Sequence, residues 1–268
     1  MKRLENVRLF LFDMDGTLYL GNRLYDFTIE LLDTIKKIGG KYMFMTNNSS
    51  KSVVDYIKKL ESLGINAEYT DFITSSQATA YLLKKEHHDS RLYVCGTQSL
   101  KDELRREGFN LTENVDETDC IVLGFDTELS FKKLHDVSYL LCTRPDIPYF
   151  ATNPDYVCPT EFGSVPDCGS VADMLYNVSK RRPIFIGKPE PLMPELAMEM
   201  TGYTKSETAV IGDRIYTDVK SGLRAGALAI LVMSGETTKE ILDASEDKPD
   251  LVLESGAEII PVIKKSLK

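Results

Sequence analysis

Four short polar strings in this 268-residue chain carry residue types able to do chemistry together. They are Asp13-Met14-Asp15-Gly16-Thr17, Thr46-Asn47-Asn48-Ser49-Ser50, Gly187-Lys188-Pro189 and Gly212-Asp213-Arg214-Ile215-Tyr216-Thr217-Asp218. Brought to one place they supply four carboxylates (Asp13, Asp15, Asp213, Asp218), one hydroxyl (Thr46), one amide (Asn47) and one ammonium (Lys188). Two carboxylates about 4 Å apart repel by roughly 4 kcal/mol at an effective dielectric of 20, so such a cluster calls for a cation. Oxygen-only donors suit a hard ion, and Mg²⁺ is the natural candidate. Mg²⁺ takes one or two carboxylates and fills its shell with waters and phosphate oxygens. The Thr46 hydroxyl, the N–H groups of the Asn47 turn and Lys188 are the donors a phosphate there would need. A carboxylate can attack phosphorus directly. A second carboxyl can protonate the leaving oxygen and then activate water, provided its pKa rises toward the working pH. Asp-Gly and Asn-Asn are also ordinary turn chemistry. Four such strings, each following an apolar run, argue against turns alone.

The apolar runs read as strands: Val7–Phe12, Tyr42–Met45, Ile184–Ile186 and Ala209–Ile211, with a fifth at Ala229–Met233. Nearly continuous apolar composition fits a sheet buried on both faces. Between them lie helical periods. One carries Ile29, Leu32, Ile35 and Ile38 and closes at Gly39-Gly40; another buries Val53, Val54, Ile57 and Leu60, with Ser52 and Asp55 at its start and Gly64 at its end. Further helices are expected around Pro194–Met200 and over Asp218–Arg224. Alternating strands and helices imply a parallel α/β sheet with right-handed crossovers. If the four motif-bearing strands lie side by side, all four strings meet at one sheet edge, where ligands collect in such folds. The middle of the chain repeats the grammar, with strands at Arg91–Cys95, Ile121–Gly124 and Pro148–Thr152 and helices at Ser99–Glu107, Phe131–Leu141 and Val171–Ser179. The expected organisation is therefore a discontinuous core, 1–74 and 181–268, carrying an inserted α/β domain at 75–180.

Composition excludes more than it selects. Hydrophobic residues make up 43% of the chain, enough to bury a core without disulfide or metal staples. A net charge of −9 argues against a nucleic-acid polymer as partner, but not against a small phosphorylated metabolite. The longest apolar run, Ala227–Met233, is far short of the roughly 18 residues of a membrane helix. Met1-Lys2-Arg3 is basic, but Glu5, Asn6 and Arg8 interrupt any signal-peptide core. A cytoplasmic protein is expected. The five cysteines (Cys95, Cys120, Cys142, Cys158, Cys168) include no C-x-x-C pair, which favours reduced, structural thiols over zinc or a nucleophile. His87, His88 and His135 read as surface residues. A homo-oligomer is left open.

In order and strand context, the four strings resemble the four motifs of the haloacid dehalogenase superfamily. Thr46-Asn-Asn-Ser, Ala151-Thr-Asn-Pro-Asp155, Cys168-Gly-Ser170, Gly187-Lys-Pro and Gly212-Asp-Arg-x-x-Thr-Asp218 are similar to its NagD-like, p-nitrophenyl phosphatase-like branch, which inserts a large α/β cap between motifs two and three. The resemblance implies a Rossmann-like core and a Mg²⁺-dependent phosphohydrolase acting on small phosphomonoesters. It makes Asp13 the nucleophile and a metal ligand. It makes Asp15 the general acid/base, its backbone carbonyl also on the metal, and Asp213 a further ligand. Thr46, Asn47 and Lys188 hold the phosphoryl group, and Asp218 orients ligands or Lys188 from behind, or ligates through water. Substrate choice falls to a cap loop, with Asn153, Asp155, Asp167 and Cys168 as candidates, and the cap acts as a lid hinged near 75 and 180. Tyr25-Asp-Phe27 and Tyr216 depart from residues frequent in the family, outside the motif positions. A phosphoryl-binding protein without turnover and a phosphotransferase are the alternatives.

Overall fold

The computed structural model describes residues 4–160 and 162–267; the basic start Met1–Arg3 lies outside the described residues. The chain divides into two compact units. The first comprises Met1–Thr46, Ile57–Ile73 and Lys188–Lys268, and the second Asn47–Tyr56 and Thr74–Gly187.

The first unit is built on a six-stranded sheet in the order Leu251–Leu253, Leu228–Val232, Thr208–Gly212, Leu9–Phe12, Lys41–Thr46, Phe72–Thr74. The four pairings from Leu251–Leu253 to Lys41–Thr46 are all parallel. The central strand, Leu-Phe-Leu-Phe, is buried throughout, as a strand covered on both faces must be. The chain leaves this strand toward Lys41–Thr46 on one side and returns to Thr208–Gly212 on the other. The reversal of strand order puts a crevice at the carboxyl ends of Leu9–Phe12 and Thr208–Gly212. Register carries the same point: Phe12 pairs with Ile211, so Asp13 and Asp213 leave adjacent strands one and two residues later.

The helices mostly follow the sequence reading. Thr28–Lys37 ends at Gly39, whose φ of +72° supplies the left-handed turn. Ser52 and Asp55 form the expected reciprocal cap of Val53–Ser62: Ser52 N–H donates to Asp55 Oδ2 at 2.8 Å and Asp55 N–H to Ser52 Oγ at 3.3 Å. The buried face of that helix is Val53, Tyr56 and Leu60, while Val54 is exposed. Spacings of three and four align 53, 56 and 60, and 54 lies a hundred degrees round from 53. The expected helix over Asp218–Arg224 divides into a wide π-type turn, Ile215–Val219, and a short helix, Lys220–Ala225.

The second unit has its own five-stranded parallel sheet in the order Ile184–Phe185, Tyr149–Ala151, Cys120–Leu123, Arg91–Cys95, Asn110–Leu111. Helices Phe131–Thr143 and Cys168–Ser179 pack on it through Val137, Leu140, Leu141, Val171, Ala172 and Leu175. An antiparallel hairpin, Val157–Thr160 with Gly163–Pro166, stands apart from that sheet. One expectation is corrected here. The strand before Lys188 does not lie beside Leu9–Phe12; Ile184–Phe185 pairs with Tyr149–Ala151 at the edge of the second unit's sheet. Its Ile184 is 60% exposed, as an edge strand permits and a central one does not. The fold is thus a Rossmann-like parallel α/β core with an inserted α/β cap.

Candidate active site

In the first unit, Lys188 is the hub. Its Nζ donates to Asp13 Oδ1 at 2.7 Å, to Asp218 Oδ1 at 2.5 Å and to the Met45 carbonyl at 3.3 Å. The last bond fixes it against the strand that ends in Thr46, which is itself buried. Burial works against the ammonium, but the charges of Asp13 and Asp218 outweigh it and hold the lysine protonated well above its usual range. Lys188 therefore reaches the sheet edge through the Gly187–Pro189 loop rather than from a core strand.

Asp13, Asp213 and Asp218 bring one carboxylate oxygen each to within 4.8 Å of one another. Asp218 is fully buried and both of its oxygens are engaged, Oδ1 by Lys188 and Oδ2 by the Arg214 N–H at 3.1 Å. Asp213 accepts the Glu236 N–H on Oδ2 at 2.7 Å, but its buried Oδ1 has no hydrogen-bond partner. Burial, then the charges of Asp13 and Asp218, push the Asp213 carboxyl up to about 7. Burial also raises Asp218, although Lys188 works against it. An orphaned carboxylate oxygen beside two further carboxylates is costly as it stands and is what a divalent cation relieves. The donor set is all oxygen, so the residues present fit Mg²⁺.

Glycine clears the space around Asp213. A Cβ on Gly16 would lie 2.5 Å from Asp213 Oδ2, and φ there is +82°. A Cβ on Gly235 would lie 2.0 Å from the same atom. The segment Ser234–Thr237, which follows the strand Leu228–Val232, escaped the sequence reading although its polar Ser-Gly-Glu-Thr string sits at the end of an expected strand. Besides the Glu236 bond, Ser234 Oγ donates to the Gly16 carbonyl at 2.7 Å and Thr237 N–H to the Asp213 carbonyl at 3.2 Å. Glu236 also ties down Arg214 (2.7 Å) and Tyr216 (2.6 Å), so an acid stands near the position where Tyr216 departs from the family pattern.

Asp15 is placed differently. Its side chain is 58% exposed and lies outside the carboxylate cluster. Lys59 Nζ is 3.9 Å from its Oδ2 and 4.1 Å from the centre of the Tyr19 ring. Partial burial raises the Asp15 carboxyl and Lys59 opposes it, with the net shift upward. A carboxyl so raised keeps its proton to a higher pH than an ordinary aspartate. No motif spacing points to Lys59, because only the tertiary fold brings it to Asp15.

In the second unit, Asn47 Nδ2 donates to Asp155 Oδ2 at 2.9 Å. Asn153 Nδ2 donates to that same oxygen and to Asp167 Oδ1, at 3.1 Å each. Asp167 caps the helix Cys168–Ser179, accepting the Cys168 N–H at 2.5 Å. Asn153, Asp167 and Cys168 are buried and Asp155 is half-buried. The buried thiols make poor nucleophiles, burial pushing Cys95 and Cys120 up to about 12 and Cys168 higher still. All five cysteines are thiols outside any disulfide, Cys142 being exposed.

Comparison with known proteins agrees with this geometry. A haloacid dehalogenase-like hydrolase family matches residues 10–110 and a second, HAD-hydrolase-like family residues 185–259. The chain is 34% identical to the 5'-nucleotidase YutF of Bacillus subtilis, over 95% of this chain and 98% of that one. It is 30% identical to an acid sugar phosphatase of Staphylococcus haemolyticus, over 92% of each. Among solved structures, the 4-nitrophenylphosphatase of Thermotoga maritima superposes with a TM-score of 0.93 at 37% identity, covering 97% of this chain and 99% of that one. NagD of E. coli K-12 superposes with a TM-score of 0.85 at 28% identity, covering 94% and 98%.

Proposed function

This chain belongs to the haloacid dehalogenase-like hydrolases, and from that premise we propose that it is a Mg²⁺-dependent phosphatase of small phosphomonoesters working through a phosphorylated Asp13. The observation that carries the reading is the Lys188 ammonium held between Asp13 and Asp218, beside an Asp213 oxygen with no partner.

Asp13, the backbone carbonyl of Asp15 and Asp213 are the groups that would hold Mg²⁺. The ion would neutralise phosphoryl and carboxylate charge in the site. Thr46 through its hydroxyl, Asn47 through its N–H and Lys188 through its ammonium bind and orient the phosphoryl oxygens. Asp13 attacks phosphorus; an Asp13–phosphorus bond forms as the bond to the ester oxygen breaks. Asp15 gives its proton to that oxygen. It then takes a proton from water, whose oxygen attacks phosphorus and releases inorganic phosphate with Asp13 restored. Asp218 keeps Lys188 in place. To the inserted α/β unit, whose sheet runs from Arg91–Cys95 to Ile184–Phe185, we assign the choice of leaving group. Of Asn153, Asp155, Asp167 and Cys168, only half-buried Asp155 has the exposure to meet a leaving group. The relatives' names point to nucleotides, sugar phosphates and nitrophenyl phosphate as esters to try.

Phosphate release from such a panel, with Mg²⁺ and with chelator, tests the reading. Release that needs Mg²⁺ and vanishes in Asp13→Asn supports it. Undiminished hydrolysis by Asp13→Asn, or release indifferent to chelator, contradicts it.

A further inference from the structure

We infer that Asp155 is a positioning residue for the phosphoryl-binding loop, acting through the Asn47 side chain; this rests on the reading that the Asn47 N–H binds the phosphoryl group. Asn47 opens the loop after the strand Lys41–Thr46, and nothing regular holds the loop before the helix starting at Val53. Its contacts lie with the second unit. The carboxamide is committed within the second unit: Nδ2 donates to Asp155 Oδ2 at 2.9 Å. Oδ1 is packed so closely on Gly187 that a Cβ there would come within 2.5 Å of it. The Asn47 carbonyl is held as well, accepting Ser75 Oγ at 2.7 Å. The side chain thus anchors the loop, and the backbone does the binding.

The anchor is itself fixed. Asn153 gives both of its Nδ2 hydrogens, one to Asp155 Oδ2 and one to Asp167 Oδ1, and its own Oδ1 accepts Thr152 Oγ1 at 2.9 Å. Thr152 Oγ1 lies 2.8 Å from Ser49 Oγ, which accepts the Phe125 N–H at 2.9 Å. The network therefore returns to the same loop at Ser49, two residues after Asn47. Asp167 locks it to the helix Cys168–Ser179. A satisfied buried network of this kind specifies one arrangement, whereas a broken one leaves buried donors unpaired. Two amides share a single oxygen of Asp155, Oδ2. What the anchor needs is therefore one well-placed acceptor, which an asparagine also offers.

The test measures nitrophenyl phosphate hydrolysis and inorganic phosphate binding for Asp155→Ala, Asp155→Asn, Asn47→Ala and the double alanine variant, with melting temperatures to show folding. Misplacing the donor loop should cost Asp155→Ala about tenfold to a hundredfold in kcat/KM and weaken phosphate binding in parallel. Asp155→Asn should recover most of that loss. Asn47→Ala should match Asp155→Ala, and the double variant should be no worse than either, since both remove one anchor. Wild-type phosphate binding in Asp155→Ala, an Asp155→Asn as poor as the alanine, or additive losses would overturn the inference. A wild type that hydrolyses no ester would overturn the phosphatase reading, and phosphate binding by the same variants would still decide the role of Asp155.

Discussion

At the scale of single residues, the site is governed by negative charge taken out of water. Asp213 and Asp218 are buried beside Asp13, and one ammonium, Lys188, bridges the latter two. Asp213 is left with an unpartnered oxygen and a carboxyl pushed up to about 7, burial being the main cause. The consequence for stability has a definite sign. A carboxyl whose pKa is higher in the folded than in the unfolded state favours folding while it stays protonated. That contribution disappears as pH rises from about 4, the unfolded value, to about 7. The metal-free protein should therefore lose stability from pH 5 to pH 8 relative to Asp213→Asn, which has no charge to bury. Mg²⁺ should raise the wild-type melting temperature more at pH 8 than at pH 5. Thermal melts of both proteins across that range, with Mg²⁺ and with chelator, check this. Parallel pH dependence in the two proteins would show that Asp213 carries no such charge cost.

At the scale of elements, strand ends deliver most of the chemistry, and here the sequence was readable in part. The strings after Leu9–Phe12, Lys41–Thr46 and Thr208–Gly212 follow core strands, because long apolar runs in an alternating pattern have few other uses. The run before Lys188 looked the same, yet it pairs in the other sheet. An apolar triplet says that it is a strand, not which sheet it joins. The helix Ser75–Glu86 was missed because alanines, serines and threonines dilute its apolar stripe; its start was nonetheless written in Thr74 and Gln77, which form a reciprocal cap. The hairpin Val157–Pro166, with prolines at 159 and 166 and an exposed Val157, shows no buried alternation to detect. Among site residues, the acidic cluster was legible from strand context, whereas Lys59 and Glu236 depend on tertiary approach. The cap at Thr74 gives an element-scale prediction. Thr74→Ala should lower stability by about 1 kcal/mol in urea unfolding while kcat changes less than twofold, since the bond it removes holds a helix start. A large loss of kcat at unchanged stability would instead put Thr74 in the chemistry.

At the scale of the whole molecule, a parallel core supplies the reaction and an inserted α/β cap accompanies it, as in the relatives with which the chain aligns almost end to end. Among the described residues no helix is long and apolar enough to cross a membrane. In the proposed mechanism the reaction rests on Asp13, Asp15, Lys188, Asp213 and Asp218, and substrate choice on the cap. In that mechanism the phosphoryl group passes through Asp13, where it can be trapped. The enzyme would be mixed with Mg²⁺ and nitrophenyl phosphate, quenched in acid within the first turnover, digested and analysed by mass spectrometry. One phosphoryl group is expected on the peptide containing Asp13, absent from Asp13→Asn and from the chelator control. A phosphoryl group on any other residue, or turnover with none trapped on Asp13 at any quench time, would contradict it.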